Sequence, residues 1–348
     1  MHYDIKESKL ENGLTVYHVK VPADDITVLA NINAGSLYET DHTAGMSHLI
    51  EHNLFKGTTK RLSRKEVYQE FGEIGSDFFC HTDDTSILLG LRVMPESFKQ
   101  TLDLFSDLIY HSRMDAESVE KEQEIVLDEI RNGEDDPYRF AYQSFCTKLQ
   151  EGCPAGRPII DFEHTVKQWP IEEIVEFYKR HFNPANTTLF VVGPIEFRDA
   201  AEKVKQYFSC SPEINQPNSI QRFKMPRNRA REITMDRELS NVQMFIGKLV
   251  PRLGLKKGLD MELLVDIMGN NISDAILNKE PISYSRWATS SNEKIGGSII
   301  TYATFGPKNY IRVKELIREE MRKVSEGDIS EDTFKSVLRK KRKEFVRN

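Results

Sequence analysis

Cysteine is scarce, with Cys80, Cys146, Cys153 and Cys210 the four in 348 residues, and none shows CxxC or comparable metal-ligand spacing. So few in so long a chain exclude a disulfide framework and a cysteine-built zinc site, and they favour a reducing, cytoplasmic setting. Long apolar runs are also missing. No stretch approaches the ~20 apolar residues that span a bilayer. Residues 1–12 mix charges with isolated apolar side chains where a secretory signal would carry an apolar core, so neither a signal nor an anchor is expected. An excess of positive charge is absent too. With 48 basic and 54 acidic residues the net charge is −6, which offers no global field to nucleic acid or to an anionic membrane. The local exception, Arg339-Lys340-Lys341-Arg342-Lys343, reads as the solvated face of a helix end.

What is present is ordinary globular composition, 39% hydrophobic and 29% charged, in a chain long enough for two domains. The first half alternates strands and helices. Residues 9–20 turn at Asn12-Gly13 and run on through Leu14, Val16 and His18; residues 26–37 and 85–93 are further strand candidates. Helical spacing covers residues 44–55, 63–71 and 170–181, and in residues 95–110 it puts Phe98, Leu102, Phe105 and Leu108 on one face. A helix over residues 116–131 has Asp115 as its N-cap and acidic residues in its first turn. Residues 187–192 suit a buried strand. Pro212, Pro217 and Pro226 then mark residues 211–228 as a linker between a first domain, 1–210, and a second, 229–348. In the second, strands over 241–250 and 297–304 and helices over 258–270 and 309–325 repeat the earlier order. The repeated order makes a weak internal duplication plausible, the second copy without a metal motif.

The chemistry is concentrated in His48-Leu49-Ile50-Glu51-His52. Two imidazoles at i and i+4 share one face of a helix and can share one ion, and Glu51 lies on that face. Imidazole nitrogen suits Zn²⁺, whose catalytic sites take three protein ligands and leave the fourth position to water. The third ligand is expected to be a carboxylate, and the helix after Ser118 offers Glu122, Glu124 and Glu129. Glu122 and Glu129 are seven apart on one face, one for the metal and one to orient a ligand imidazole. Leu49, Ile50 and Leu54 turn the motif helix toward a core, where an unpaired His-Glu-His cluster would be costly.

The run Gly45-Met46-Ser47-His48-Leu49-Ile50-Glu51-His52-Asn53-Leu54-Phe55-Lys56-Gly57-Thr58 resembles the zinc helix of the M16, pitrilysin and insulysin, metallopeptidases, the inverted HxxEH type. The family's distal glutamate ligand follows the second histidine by about 76 or 77 residues, and Glu129 stands 77 after His52 within Glu120 to Ile130, a stretch of the family's form. The resemblance thereby selects Glu129 as ligand and Glu122 as supporting carboxylate. Pro154 to Ile160 and Phe182 to Gly193 are similar to the family as well.

The resemblance implies an α+β fold: two related α/β sandwich domains, each a mainly antiparallel sheet with helices packed on it, the second short. It implies a zinc endopeptidase in which Glu51 serves as general base on the metal's water. It also implies a peptide substrate that adds as a strand to the sheet edge at residues 76–82. Phe79, Cys80 and His81 are then substrate-contacting positions, with Phe79 where the family has asparagine; as residue types alone, Cys80 reads as a buried filler and His81 as a surface residue. Tyr284 resembles a family tyrosine that binds peptide, but its companion arginine position holds Leu277, and Lys279 and Arg286 lack the spacing to replace it. From this, and from a second half of about 120 residues against about 210 for the first, a partner is expected, a second copy or a related chain. The alternative is a non-catalytic scaffold subunit of a paired complex.

Overall fold

The computed structural model describes residues 4–75, 77–157, 163–209, 215–219, 226–227, 231–293 and 295–347, so most of the expected linker lies outside the described residues. In chain order the elements are β1 (Ile5–Lys9), β2 (Thr15–Lys20), β3 (Ile26–Ile32), α1 (Met46–Asn53), α2 (Arg64–Ile74), β4 (Asp77–Thr82), β5 (Ile87–Val93), α3 (Phe98–Tyr110), α4 (Ala116–Asp135), α5 (Pro137–Leu149), α6 (Glu163–Val166), α7 (Ile171–His181), β6 (Thr187–Gly193) and α8 (Phe197–Phe208). There follow β7 (Val242–Val250), α9 (Leu255–Ser273), β8 (Ser285–Glu293), β9 (Gly296–Phe305), α10 (Tyr310–Glu326) and α11 (Glu331–Arg347).

Two compact units emerge: Met1–Asn132 with Arg157–Arg222, and Gly133–Gly156 with Phe223–Asn348. The division differs from a single cut near residue 210. The segment 133–156 goes with the second unit because α5 lays its aromatic face on that unit's sheet.

The first unit is built on a six-stranded sheet in the order β1-β2-β6-β3-β5-β4. Its pairs are antiparallel except β2 with β6. Alternation decides its two faces: Ile26, Val28, Ala30 and Ile32 of β3, with Leu189 and Val191 of β6, are buried beneath the helices. Their neighbours Tyr17 and Phe190 stack on the opposite face, ring centroids 5.5 Å apart. Helix α1 contributes Met46, Leu49 and Ile50 to this core, each fully buried, an anchoring worth ~1.5–3 kcal/mol per side chain. It packs against β4 and α7. β4 ends the strand order, so among the described residues no strand pairs with its outer edge.

The second unit has a three-stranded antiparallel sheet, β7-β9-β8. One face packs Met244, Ala303 and Phe305 against Met268 and Ile272 of α9 and Val313 and Ile317 of α10. The other carries Phe245, Trp287 and Tyr302, which meet Tyr138, Tyr142 and Phe145 of α5. α9 follows β7 as α1 follows β3, but it has no histidine. The basic run lies on α11, where Lys341 pairs with Glu262 and Asp266 of α9 at 2.7 and 2.8 Å while its neighbours are exposed. Among the described residues, no helix is long and apolar enough to cross a membrane.

Candidate metal centre

The site begins with how α1 starts. Gly45 caps it in the left-handed region, φ 95°, a conformation that glycine enters without steric cost. The buried carboxylate of Glu39 accepts from Gly45 N at 2.8 Å and Ser47 N at 2.7 Å. An anion thus meets the positive end of the helix that carries His48, Glu51 and His52. Arg157 backs it, donating to the Glu39 carbonyl at 2.8 Å. At the other element, Asp115 Oδ1 accepts from Ser118 N at 3.0 Å and so caps α4 as the sequence predicts.

Three donors converge from these two helices. His48 Nε2 and His52 Nε2 are 3.2 Å apart, and Glu129 Oε2 lies 3.8 Å from the first and 3.6 Å from the second. Ligands ~2.1 Å from a tetrahedral centre are about 3.4 Å from one another, so these separations fit one zinc ion. Among the described residues, His48, His52 and Glu129 are the group whose ligand atoms come close enough to hold a metal. Glu124, on the same helix, instead lies 3.7 Å from Lys167 on the surface.

Electrostatics agree with that donor set. The His48 imidazole is pushed down to about 3, chiefly by burial, with the charges of His52 and His81 adding, which keeps it neutral as a ligand must be. Its Nδ1 is buried without a hydrogen-bond partner among the described residues. His52 differs. Burial pulls its pKa down, but the bond to Glu122 and the charges of Glu129 and Glu51 outweigh it and raise it overall. Glu122 is 3% exposed; its Oε2 lies 3.2 Å from His52 Nδ1 and its Oε1 pairs with Lys56. Despite burial, those two contacts hold Glu122 below the usual carboxylate range. Among the described residues at this site, the side chains of Glu51, Glu122 and Glu129 face the ammonium of Lys56, an acidic balance that favours a cation.

Glu51 is half-buried on the motif helix, and its Oε2 accepts a hydrogen bond from the Thr82 hydroxyl of β4. Cys80 is half-buried nearby, its thiol pushed well above the ordinary value by burial and by Glu51. His81 is exposed. Phe79 is 51% exposed and folds its ring onto Gly90 of β5, where an added Cβ would sit 2.3 Å from the ring. In the second unit, Tyr284 is exposed just before β8, its N–H on the Thr304 carbonyl at 3.0 Å. Leu277 sits in the helical turn Asp274–Lys279. Lys279 pairs with Asp274 at 2.8 Å and Arg286 bonds Ser273 at 2.7 Å. Sequence reasoning did not single out Glu39, Lys56 or Thr82. Lys56, one turn beyond His52, carried a spacing signal; Thr82 and Glu39 act through tertiary contacts that no local pattern encodes.

Comparison with known proteins adds a family. The model described as Insulinase (Peptidase family M16) matches residues 14–160, and that described as Peptidase M16 inactive domain matches residues 168–341. The chain belongs to peptidase family M16. An M16 relative from Rickettsia felis, named an uncharacterized zinc protease, is 27% identical over 336 residues, covering 94% of this chain and 80% of its own. The mitochondrial-processing peptidase subunit beta of Neurospora crassa is 27% identical over 204 residues, 58% of this chain and 43% of that protein. A solved protease from Helicobacter pylori has the same fold, with a TM-score of 0.91 at 18% identity over 99% of this chain and 86% of that one.

Proposed function

We propose that this M16 chain is a zinc-dependent endopeptidase that cleaves extended peptides or small unfolded precursors. The observation that carries the reading is the convergence of His48 Nε2, His52 Nε2 and Glu129 Oε2 beside a carboxylate, Glu51, on the same helix. His48, His52 and Glu129 are the residues that would hold the ion, and Glu122 aims the His52 ring through its Nδ1. Zinc, when bound, supplies Lewis-acid polarisation of the scissile carbonyl and of water. Glu51 takes the proton from the attacking water and returns it to the leaving amine. The outer edge of β4 accepts the peptide as an added strand, with Phe79, Cys80 and His81 alongside it. A second copy or a related M16 chain completes the assembly, a reading supported by the Neurospora relative being named a subunit; light scattering on the purified chain tests it.

Glu51→Gln keeps the shape of the side chain and leaves the metal ligands alone. We expect near-stoichiometric zinc by metal analysis together with a fall of at least ~10² in cleavage of an unstructured peptide. Full activity in that variant would remove Glu51 from the mechanism. A wild-type chain that holds zinc yet cleaves nothing, alone or paired, would favour the scaffold reading.

A further inference from the structure

We propose that Thr82 is a positioning residue for the general base, holding Glu51 through its hydroxyl; the inference rests on the peptidase reading of this site. Thr82 is 3% exposed, and its Oγ1 donates to Glu51 Oε2 across the gap between β4 and α1. The side-chain period of β4 puts Thr82 on the helix-facing side with Phe78 and Cys80, while Phe79 and His81 point to the other face.

The contact solves a problem the motif creates. Glu51 is flanked by two imidazoles and shares the site with Glu122 and Glu129, so an untethered carboxylate has several alternatives: turning toward the His52 ring, joining the metal's ligands, or swinging to solvent. A hydroxyl donor on a rigid strand, beside the Cys80 thiol that also hydrogen-bonds Glu51 from the same strand face, favours one rotamer of the base. It also ties the base to the strand that presents its outer edge to the peptide. Base and substrate backbone are then referred to one rigid element, the condition under which a small displacement costs much rate.

Thr82→Val preserves the shape and deletes the donor. We expect kcat for an unstructured peptide to fall about 10- to 100-fold, the range for losing a hydrogen bond to a charged group, with KM and zinc content unchanged. Thr82→Ser restores most of the activity. In a double-mutant cycle, Glu51→Gln with Thr82→Val is no slower than Glu51→Gln alone, because Thr82 acts only through Glu51. Thermal unfolding and bound zinc are measured on every variant, so a folding defect in Thr82→Val registers as loss of metal or a lowered Tm, and the Ser variant then carries the test. Wild-type kcat in Thr82→Val, an inactive Thr82→Ser that still binds zinc, or full additivity in the cycle each overturns the inference while the peptidase reading stands. A wild-type chain without peptidase activity overturns that reading instead.

Discussion

Half-buried Lys56 pairs with the buried Glu122, which keeps its second oxygen for the Nδ1 of His52. Removing one partner of such a pair leaves an uncompensated buried charge, which costs more than the pair contributes. Because His52 still faces Glu122, Lys56→Met is expected to lower the unfolding free energy of the metal-free protein by ~1–3 kcal/mol. Adding Glu122→Gln to that variant should recover part of the loss. Urea denaturation in the presence of a chelator measures both, and a double variant less stable than Lys56→Met alone contradicts the account.

Glu129 and Glu124 lie five residues apart on α4 and face different surroundings. Glu129→Ala is expected to abolish stoichiometric zinc binding, whereas Glu124→Ala retains it. Equal zinc content in the two variants would exclude Glu129 as ligand.

Glu39 accepts two backbone N–H groups at the start of the motif helix from a buried position. Burial raises the Glu39 pKa and the two N–H bonds oppose that shift, so Glu39→Ala, which leaves both donors without their acceptor, should destabilise the protein by about 1–3 kcal/mol and weaken zinc binding by loosening the helix that carries two of the proposed ligands. A variant with unaltered Tm and zinc affinity shows that α1 does not depend on this cap.

His181 is buried in the first unit, stacked on Phe177 at 4.1 Å, and its Nδ1 accepts from the Asn218 amide. Burial is the main cause that brings its pKa down to about 4, against a backbone contact at Asn33 that opposes it. The folded pKa lies below the unfolded value of about 6.5, so the unfolded chain binds more protons between those values. The contribution is complete above pH ~6.5 and is lost at about 1.4 kcal/mol per unit as the pH falls toward 4. Metal-free wild type should lose about 2 kcal/mol more between pH 6.5 and 5 than His181→Gln does. Parallel losses in the two proteins contradict the assignment.

Much of this site was legible because its parts are local. The HxxEH spacing and the apolar run around it fix α1, and Asp115 with its acidic first turn marks the start of α4. Heptad spacing pairs Glu122 with Glu129 and leaves Glu124 off their face, and the family resemblance assigned the roles within that pair. Elements whose residues carry no clear period were missed. β8, Ser-Arg-Trp-Ala-Thr-Ser-Ser-Asn-Glu, has few apolar residues and is a strand because β9 pairs along its whole length. α5 is rich in aromatics with weak helix propensity, and it is held by the rings of the second sheet. The contact of Thr82 with Glu51 spans 31 residues of sequence and exists only once the sheet and α1 are assembled.

Assembly itself has an order built into the strand sequence. β6, the last strand of the first sheet to be synthesised, lies between β2 and β3, so β1–β2 and β3–β5–β4 are separate fragments until it arrives. His48, His52 and Glu129 all precede it, the last of them by about sixty residues. A nascent chain therefore carries all three candidate ligands well before the strand that unites its sheet, and the closing step is a non-local insertion, the slow kind. Metal captured in that interval would be held by a scaffold still in two pieces. On the proposed zinc reading, the sequence position of one central strand would set whether the metal is captured before or after the sheet closes.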